Sequence, residues 1–238
     1  MKPSLVLHES ETIEKNAVSL KEPRAKNKKK QFLFLMILLL TAVLVTGFFV
    51  VRFFAGHVII DAPVTSEDVP RDMPDWVTPA LLPRGGKSRS GVKIEEVHDL
   101  VVHYVGNPQT SAMANRNYFA METTETSAHF IVGLDGEILQ CLPLAEKSSA
   151  TGNRNFDTIS IEVCHPDESG RFSPKTRASL VRLLAYLCDK YRLTQDHIIR
   201  HYDVTGKMCP LYYVQNPAEW DALRNDVAAF QISSKFGS

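Results

Sequence analysis

The chain has 238 residues, room for one ordinary domain with appendages rather than two full domains. With 44% hydrophobic and 23% charged residues its composition is globular, which excludes a collagen-like, coiled-coil or wholly disordered chain. A formal net charge of zero gives no sign of a nucleic-acid partner, and four cysteines in a chain this long do not make a disulfide scaffold. The charge is unevenly spread: residues 1–31 hold 8 Lys/Arg and 4 Asp/Glu, while residues 52–238 hold 19 and 23.

The first predicted element is a membrane helix. Phe32 to Val51 is a run of twenty residues without a charge, about 30 Å of helix at 1.5 Å per residue, which matches a bilayer core. Its polar members, Thr41 and Thr46, can bond to their own helix backbone. A cleaved signal peptide fits less well, because the run is long and no small-x-small site follows it directly. Lys26, Lys28, Lys29 and Lys30 crowd the N-terminal flank and only Arg52 lies close on the other side. The positive-inside bias therefore places residues 1–31 in the cytoplasm and the body of the chain outside the cell membrane.

Residues 52–88 read as an extracytoplasmic linker, since five prolines from Pro63 to Pro83 and Gly85-Gly86 leave no helical or strand period; the segment is expected to wrap onto the domain that follows. That domain is set at 89–232, with 233–238 as a tail. His98–Val105 is a β-branched run expected as a buried strand. A short helix is expected over Thr110–Glu122. Ser127–Val132 and Glu137–Leu142 are strands joined by Gly133-Leu134-Asp135-Gly136, a hairpin signal. Thr158–Cys164 is a further buried strand. Ser173-Pro174 opens a helix with Leu180, Leu183, Leu184, Leu187 and Tyr191 on one face. Asn216-Pro217-Ala218-Glu219 reads as a capping box for a last helix with Trp220, Leu223, Val227 and Phe230 as its stripe. Together these predict a single α/β domain with a mixed central sheet flanked by helices.

Of eight histidines, His8, His57, His98, His165 and His197 have ordinary settings. His103 ends a buried strand, and His201 lies eight residues before Cys209. Two imidazoles and a thiolate are a competent zinc set with a fourth position left for water, whose pKa the metal lowers to about 7. Spacing alone is a weak signal for such a site.

Four motifs in order strengthen it: Val101–Pro108, Ser127–Gly136, Ser160–Cys164 and His201–Pro210. From about Arg89 to Phe230 the chain resembles the zinc-dependent N-acetylmuramoyl-L-alanine amidases of phage lysins and bacterial autolysins, related in fold to peptidoglycan-recognition proteins. The resemblance implies Zn2+ held by His103, His201 and Cys209, a place where other members carry Asp. It implies Glu162 as general base and Lys207 as the group that polarises the scissile carbonyl. Some phage members use a tyrosine just before the histidine of the His-Phe strand; here that position is Ala128, so the acid/base role falls on Glu162. Glu162 also stands in an otherwise apolar strand, where a carboxylate is costly unless paired or near a metal. His129 is either a partner behind the metal ligands or a satisfied core histidine. A Cys141–Cys164 disulfide is one open pairing, and Cys188 is expected in the core.

The implied activity is hydrolysis of the amide between N-acetylmuramic acid and L-alanine in peptidoglycan, by a monomer tethered to the membrane. The alternative is a peptidoglycan-binding module of the same fold without catalysis. A third reading makes Cys209 a nucleophile with His201 as base.

Overall fold

The structure, a computed structural model, describes residues 24–55 and 73–236. The expected tail over 1–23, linker residues 56–72 and the last two residues lie outside the described residues. Contacts divide the chain into one unit at Met1–Ala55 and a second at Gly56–Ser238.

In the first unit, α1 spans Arg24–Ala55, and within it Lys28–Phe48 is long and apolar enough to cross a membrane. The two threonines are satisfied inside the helix: Thr41 Oγ1 donates to the Leu38 carbonyl at 2.9 Å and Thr46 Oγ1 to that of Ala42 at 2.8 Å. Both hydroxyls are thus paired within the helix itself.

The second unit is built on one sheet. Its strands among the described residues are β1 (Thr78–Pro79), β2 (Asp99–Val102), β3 (Phe130–Val132), β4 (Ile138–Gln140), β5 (Thr158–Val163) and β6 (Ile198–Arg200), in spatial order β1-β4-β3-β5-β2-β6. Only the β3–β4 pair is antiparallel, so the sheet is mixed as expected. β2 is shorter than its β-branched run, yet its ladder to β5 continues through His98 N–H to Asp157 O and Val105 N–H to Val163 O. The β3–β4 turn needs glycine at 136: its φ is +87°, and a Cβ there would lie 2.7 Å from Ser179 Oγ.

One face of the sheet carries Leu100, Val102, Phe130, Val132, Ile159, Ile161 and Val163, which pack against α3 (Pro174–Tyr191) and α6 (Pro217–Phe236). α3 starts as its sequence directs, with Ser173 Oγ accepting from Thr176 N–H at 3.1 Å. Leu180, Leu183, Leu184 and Leu187 are fully buried, each contributing about 2 kcal/mol by loss of apolar surface to water. Cys188 is buried beside them as expected. α6 departs from expectation in three ways. Asn216 turns its amide back to the Tyr212 carbonyl at 2.8 Å and closes α5 (Leu211–Gln215), rather than forming a capping box. Trp220, Leu223 and Val227 are buried but Phe230 is 40% exposed, so the buried stripe ends a turn earlier than expected. The helix also continues to Phe236, through part of the stretch expected as a tail.

The opposite face packs Ile131 and Leu139 against α2 (Ala112–Phe119), with Leu82, Cys141, Leu142 and Cys164. The proline-rich segment reaches both layers, with Leu82 packed here and Val77 in the core of the other face. β1 pairs with β4, Leu82 N–H donates to Cys141 O at 2.8 Å, and Val77, Leu81 and Leu82 are buried. Prolines hid this strand, which sits at the sheet edge where a missing N–H is tolerated. All four cysteines are free thiols, so the open Cys141–Cys164 pairing is not made.

Candidate active site

Sheet register assembles the site. Val102 stands opposite Ile161 of β5 on one side and Arg200 of β6 on the other. One residue further along each parallel strand come His103, Glu162 and His201. Because side chains alternate, this row points away from the face that carries Val102 and Ile161. Three residues distant in sequence thus share one edge of the sheet, at the carboxyl ends of its strands.

Cys209 is brought to them by a tight return of the chain. His201 opens α4 (His201–Thr205), and Gly206 closes it at φ +77°, a backbone conformation that side chains rarely adopt. The chain then doubles back so that Tyr202 N–H donates to Cys209 O at 2.9 Å. Arg200 steadies the turn, ion-pairing Asp203 at 2.7 Å and donating to Tyr213 O at 3.0 Å.

The donor atoms of His103, His201 and Cys209 all lie within 4.8 Å of one another, and the two imidazole centroids are 4.6 Å apart. Three observations fit a metal here. His103 Nε2 and His201 Nδ1 are buried without a hydrogen-bond partner among the described residues. Burial lowers both imidazole pKa values, followed by His201 and Lys207 at His103 and by Lys207 at His201, which favours the neutral ring that a metal needs. The Cys209 sulfur lies 3.9 Å from His103 Nδ1, and burial pushes its thiol up to about 12. A cation at such a thiol deprotonates it. The donor set of two nitrogens and one sulfur suits zinc, with an open fourth position.

Glu162 and Lys207 line the same cleft, of about 370 Å³, with the three donors. Glu162 Oε2 is buried and unpartnered among the described residues, and burial pushes the carboxyl up to about 8, against the pull of Lys207. A carboxylate this basic is suited to taking a proton. Lys207 is exposed at the mouth, its backbone N–H on Thr205 Oγ1 at 3.3 Å.

His129 is kept out of the chemistry. It is fully buried, its Nδ1 accepts from Ser160 N–H at 3.0 Å, and its Nε2 donates to Glu146 O at 2.8 Å. Of the two readings of His129, the satisfied core histidine is the one observed. Burial that pushes the Cys209 thiol up to about 12 gives no support to its reading as an activated nucleophile.

The cleft has further walls that spacing arguments did not single out: Tyr104, Asn115, Tyr118, Phe119, Ser127 and Ser149. The available signal was the helix expected over 110–122, where Asn115 and Tyr118 are three apart and so share a face.

Comparison with known proteins bears on the family and the fold. A family model described as N-acetylmuramoyl-L-alanine amidase matches residues 94–211. The N-acetylmuramoyl-L-alanine amidase CwlL of Bacillus licheniformis is 31% identical over 157 residues, 59% of this chain and 43% of that protein. The N-acetylmuramoyl-L-alanine amidase BlyA of Bacillus subtilis (strain 168) is 31% identical over 173 residues, 64% of this chain and 47% of that protein. The chain thus spans less than half the length of these curated relatives. Among solved structures, a mutant endolysin from Bacillus subtilis superposes with a TM-score of 0.56 at 27% identity, covering 63% of this chain and 97% of that one. The catalytic domain of XlyA gives 0.56 at 26% identity, covering 63% and 98%.

Proposed function

Residues 94–211 are a domain of the N-acetylmuramoyl-L-alanine amidase family, and from that premise we propose that this chain hydrolyses the amide bond between N-acetylmuramic acid and L-alanine in peptidoglycan. The observation that carries the reading is one cleft holding three converging metal donors, an unpartnered buried carboxylate and a lysine.

His103, His201 and Cys209 would hold zinc. When bound, the ion supplies Lewis acidity for the scissile carbonyl and for the attacking water. Glu162 takes a proton from the attacking water, its basicity raised by burial against the pull of Lys207. Glu162 then returns the proton to the leaving amine. Lys207 stands at the cleft mouth to stabilise the oxyanion, a contribution on the order of 3 kcal/mol for a preorganised donor. The Tyr202 N–H bond to Cys209 O holds the cysteine in place before substrate arrives.

The apolar stretch of α1 with its lysine flank supports a single-pass anchor, with the N-terminus cytoplasmic and the catalytic domain extracytoplasmic. A domain on that side meets the wall directly. Protease added to wall-stripped cells should remove the domain and spare the segment before α1; protection of the domain would reverse the topology.

The reaction is tested by mass spectrometry of purified sacculi after digestion. Free stem peptides that begin at L-alanine, with intact glycan strands, identify the bond. Shortened glycan strands or cleaved stem peptides would identify a different hydrolase.

A further inference from the structure

The cleft has three aromatic residues in its lining, and they are not equivalent. Phe119 is buried against Leu82 and Ala112 as part of the core. Tyr104 is half-buried, tilted against His165 with ring centroids 5.1 Å apart and crowded by Gly170, where a Cβ would come within 3.2 Å of its ring. Tyr118 is 54% exposed, so most of its surface is spent on neither core nor scaffold.

The helix that carries Tyr118 is held from behind. Eight residues make too short a helix to persist in water unaided. Arg116, buried on the far side, donates from Nε to the Ala80 carbonyl at 2.9 Å and from Nη2 to that of Leu81. Ser88 Oγ donates to the Phe119 carbonyl at 2.6 Å. At the front, Asn115 Nδ2 donates to Thr110 Oγ1 and to Ser111 O, both at 2.9 Å. An exposed aromatic ring is therefore mounted on a fixed support at the edge of the cleft. Such a ring loses little conformational freedom when a ligand covers it.

We propose that Tyr118 is the sugar platform of this site, stacking against the C–H-rich face of a pyranose ring of the glycan strand while the scissile amide lies among His103, His201, Cys209 and Glu162. The inference rests on the amidase reading and adds the residue that grips the saccharide side of the substrate. The chemistry fits: an aromatic face is electron-rich and attracts the C–H bonds of a ring whose hydroxyls point outward to water. The small polar residues Ser127 and Ser149 present no comparable apolar face.

The test uses the full-length chain in detergent with two substrates that share the scissile amide. One is glycan strands that bear stem peptides, the other a D-lactyl-peptide without sugar. Y118A is expected to raise KM on the strands about three- to tenfold, the range for loss of one aromatic contact, with kcat little changed. The sugarless substrate should show no KM change, and Y118F should restore affinity on the strands because the ring remains. A second arm measures binding of peptide-stripped glycan strands to E162Q, alone and combined with Y118A; the combined variant should bind about three- to tenfold more weakly. An equal KM rise on both substrates, or no change on either, overturns the platform. If the wild-type chain cleaves neither substrate, the amidase reading fails, and the binding arm still decides: strand binding that depends on Tyr118 supports the platform, and binding that is absent or indifferent to it does not.

Discussion

Cys209 Sγ lies 3.9 Å from His103 Nδ1 although 106 positions separate the two residues. β2 delivers the histidine at the end of a central strand, and the return of the chain after Gly206 delivers the cysteine. Neither residue has solvent to satisfy it, with 2% of each exposed. A cation that both can ligate would relieve two buried polar groups at once.

Zinc content should follow that geometry. Cys209→Ser is expected to lose the metal or hold it far more weakly, because a hydroxyl replaces a thiolate poorly. Cys209→Asp should keep more, since a carboxylate oxygen is a competent zinc ligand. Metal analysis of the purified variants checks this; one zinc per chain with full activity in Cys209→Ser would remove the cysteine from the ligand set.

Glu162→Gln keeps the shape of the side chain and removes its ability to accept a proton. Fold and zinc content should survive while kcat falls about 10²–10⁴-fold. Lys207→Ala should lower kcat by about 10²-fold with KM little moved if its charge acts on the oxyanion, and Lys207→Arg should recover part of the loss. Steady-state rates measured beside zinc content and melting temperature make the check. His129 cannot substitute for Glu162, because both of its nitrogens are already bonded to backbone.

His129 should leave a signature in the pH dependence of stability. Burial lowers its pKa from 6.5 to about 4 in the folded chain. Above pH 6.5 the ring is neutral in both states and nothing is lost. Between pH 6.5 and 4 the unfolded chain binds a proton that the folded chain refuses, so stability falls as pH falls. The full loss is about 3 kcal/mol, at 1.36 kcal/mol per pH unit. Urea denaturation across this window should give a shallower pH slope for His129→Asn than for the wild type; parallel slopes would show that the ring does not titrate with unfolding.

Arg89 is buried and bonds both oxygens of Glu146 at 2.8 Å, while donating to the Leu82 carbonyl at 2.8 Å. Since the Glu146 carbonyl also receives His129, this arginine ties the proline-rich segment to the core behind the site. Arg89→Ala should destabilise the domain by about 3–5 kcal/mol, the cost of stranding one partner of a buried pair. Arg89→Lys should lose less, since it keeps the charge without the two-pronged geometry. Denaturant midpoints provide the measurement, and a change below about 1 kcal/mol would mark the pair as surface-like.

Local chemistry made much of the fold legible. Ser173-Pro174 announced α3, the leucine spacing named its buried face, and Gly133–Gly136 marked the hairpin, because each signal acts over a few residues. The linker was harder to read. Prolines erase periodicity, so the pairing of Thr78–Pro79 with β4 and the burial of Leu81 and Leu82 left no trace in the pattern. Phe230 fell on the right helical face, but how far along that face the packing extends is not a property of the helix's own sequence.

By itself the sequence determined the apolar length of α1, the alternation of strands and helices, and which residue types were present to bind a metal. Only the tertiary structure decided that His103, Glu162 and His201 form one row, since that follows from β2 lying between β5 and β6 in parallel register. It decided the fate of His129 as well, because a histidine's role is set by the partners of its two nitrogens, and Ser160 and Glu146 reach it only through the packed sheet. Helix and strand patterns record short-range order. A catalytic cleft is a set of long-range contacts, and its donors come together only when hydrophobic burial has fixed the order of the strands.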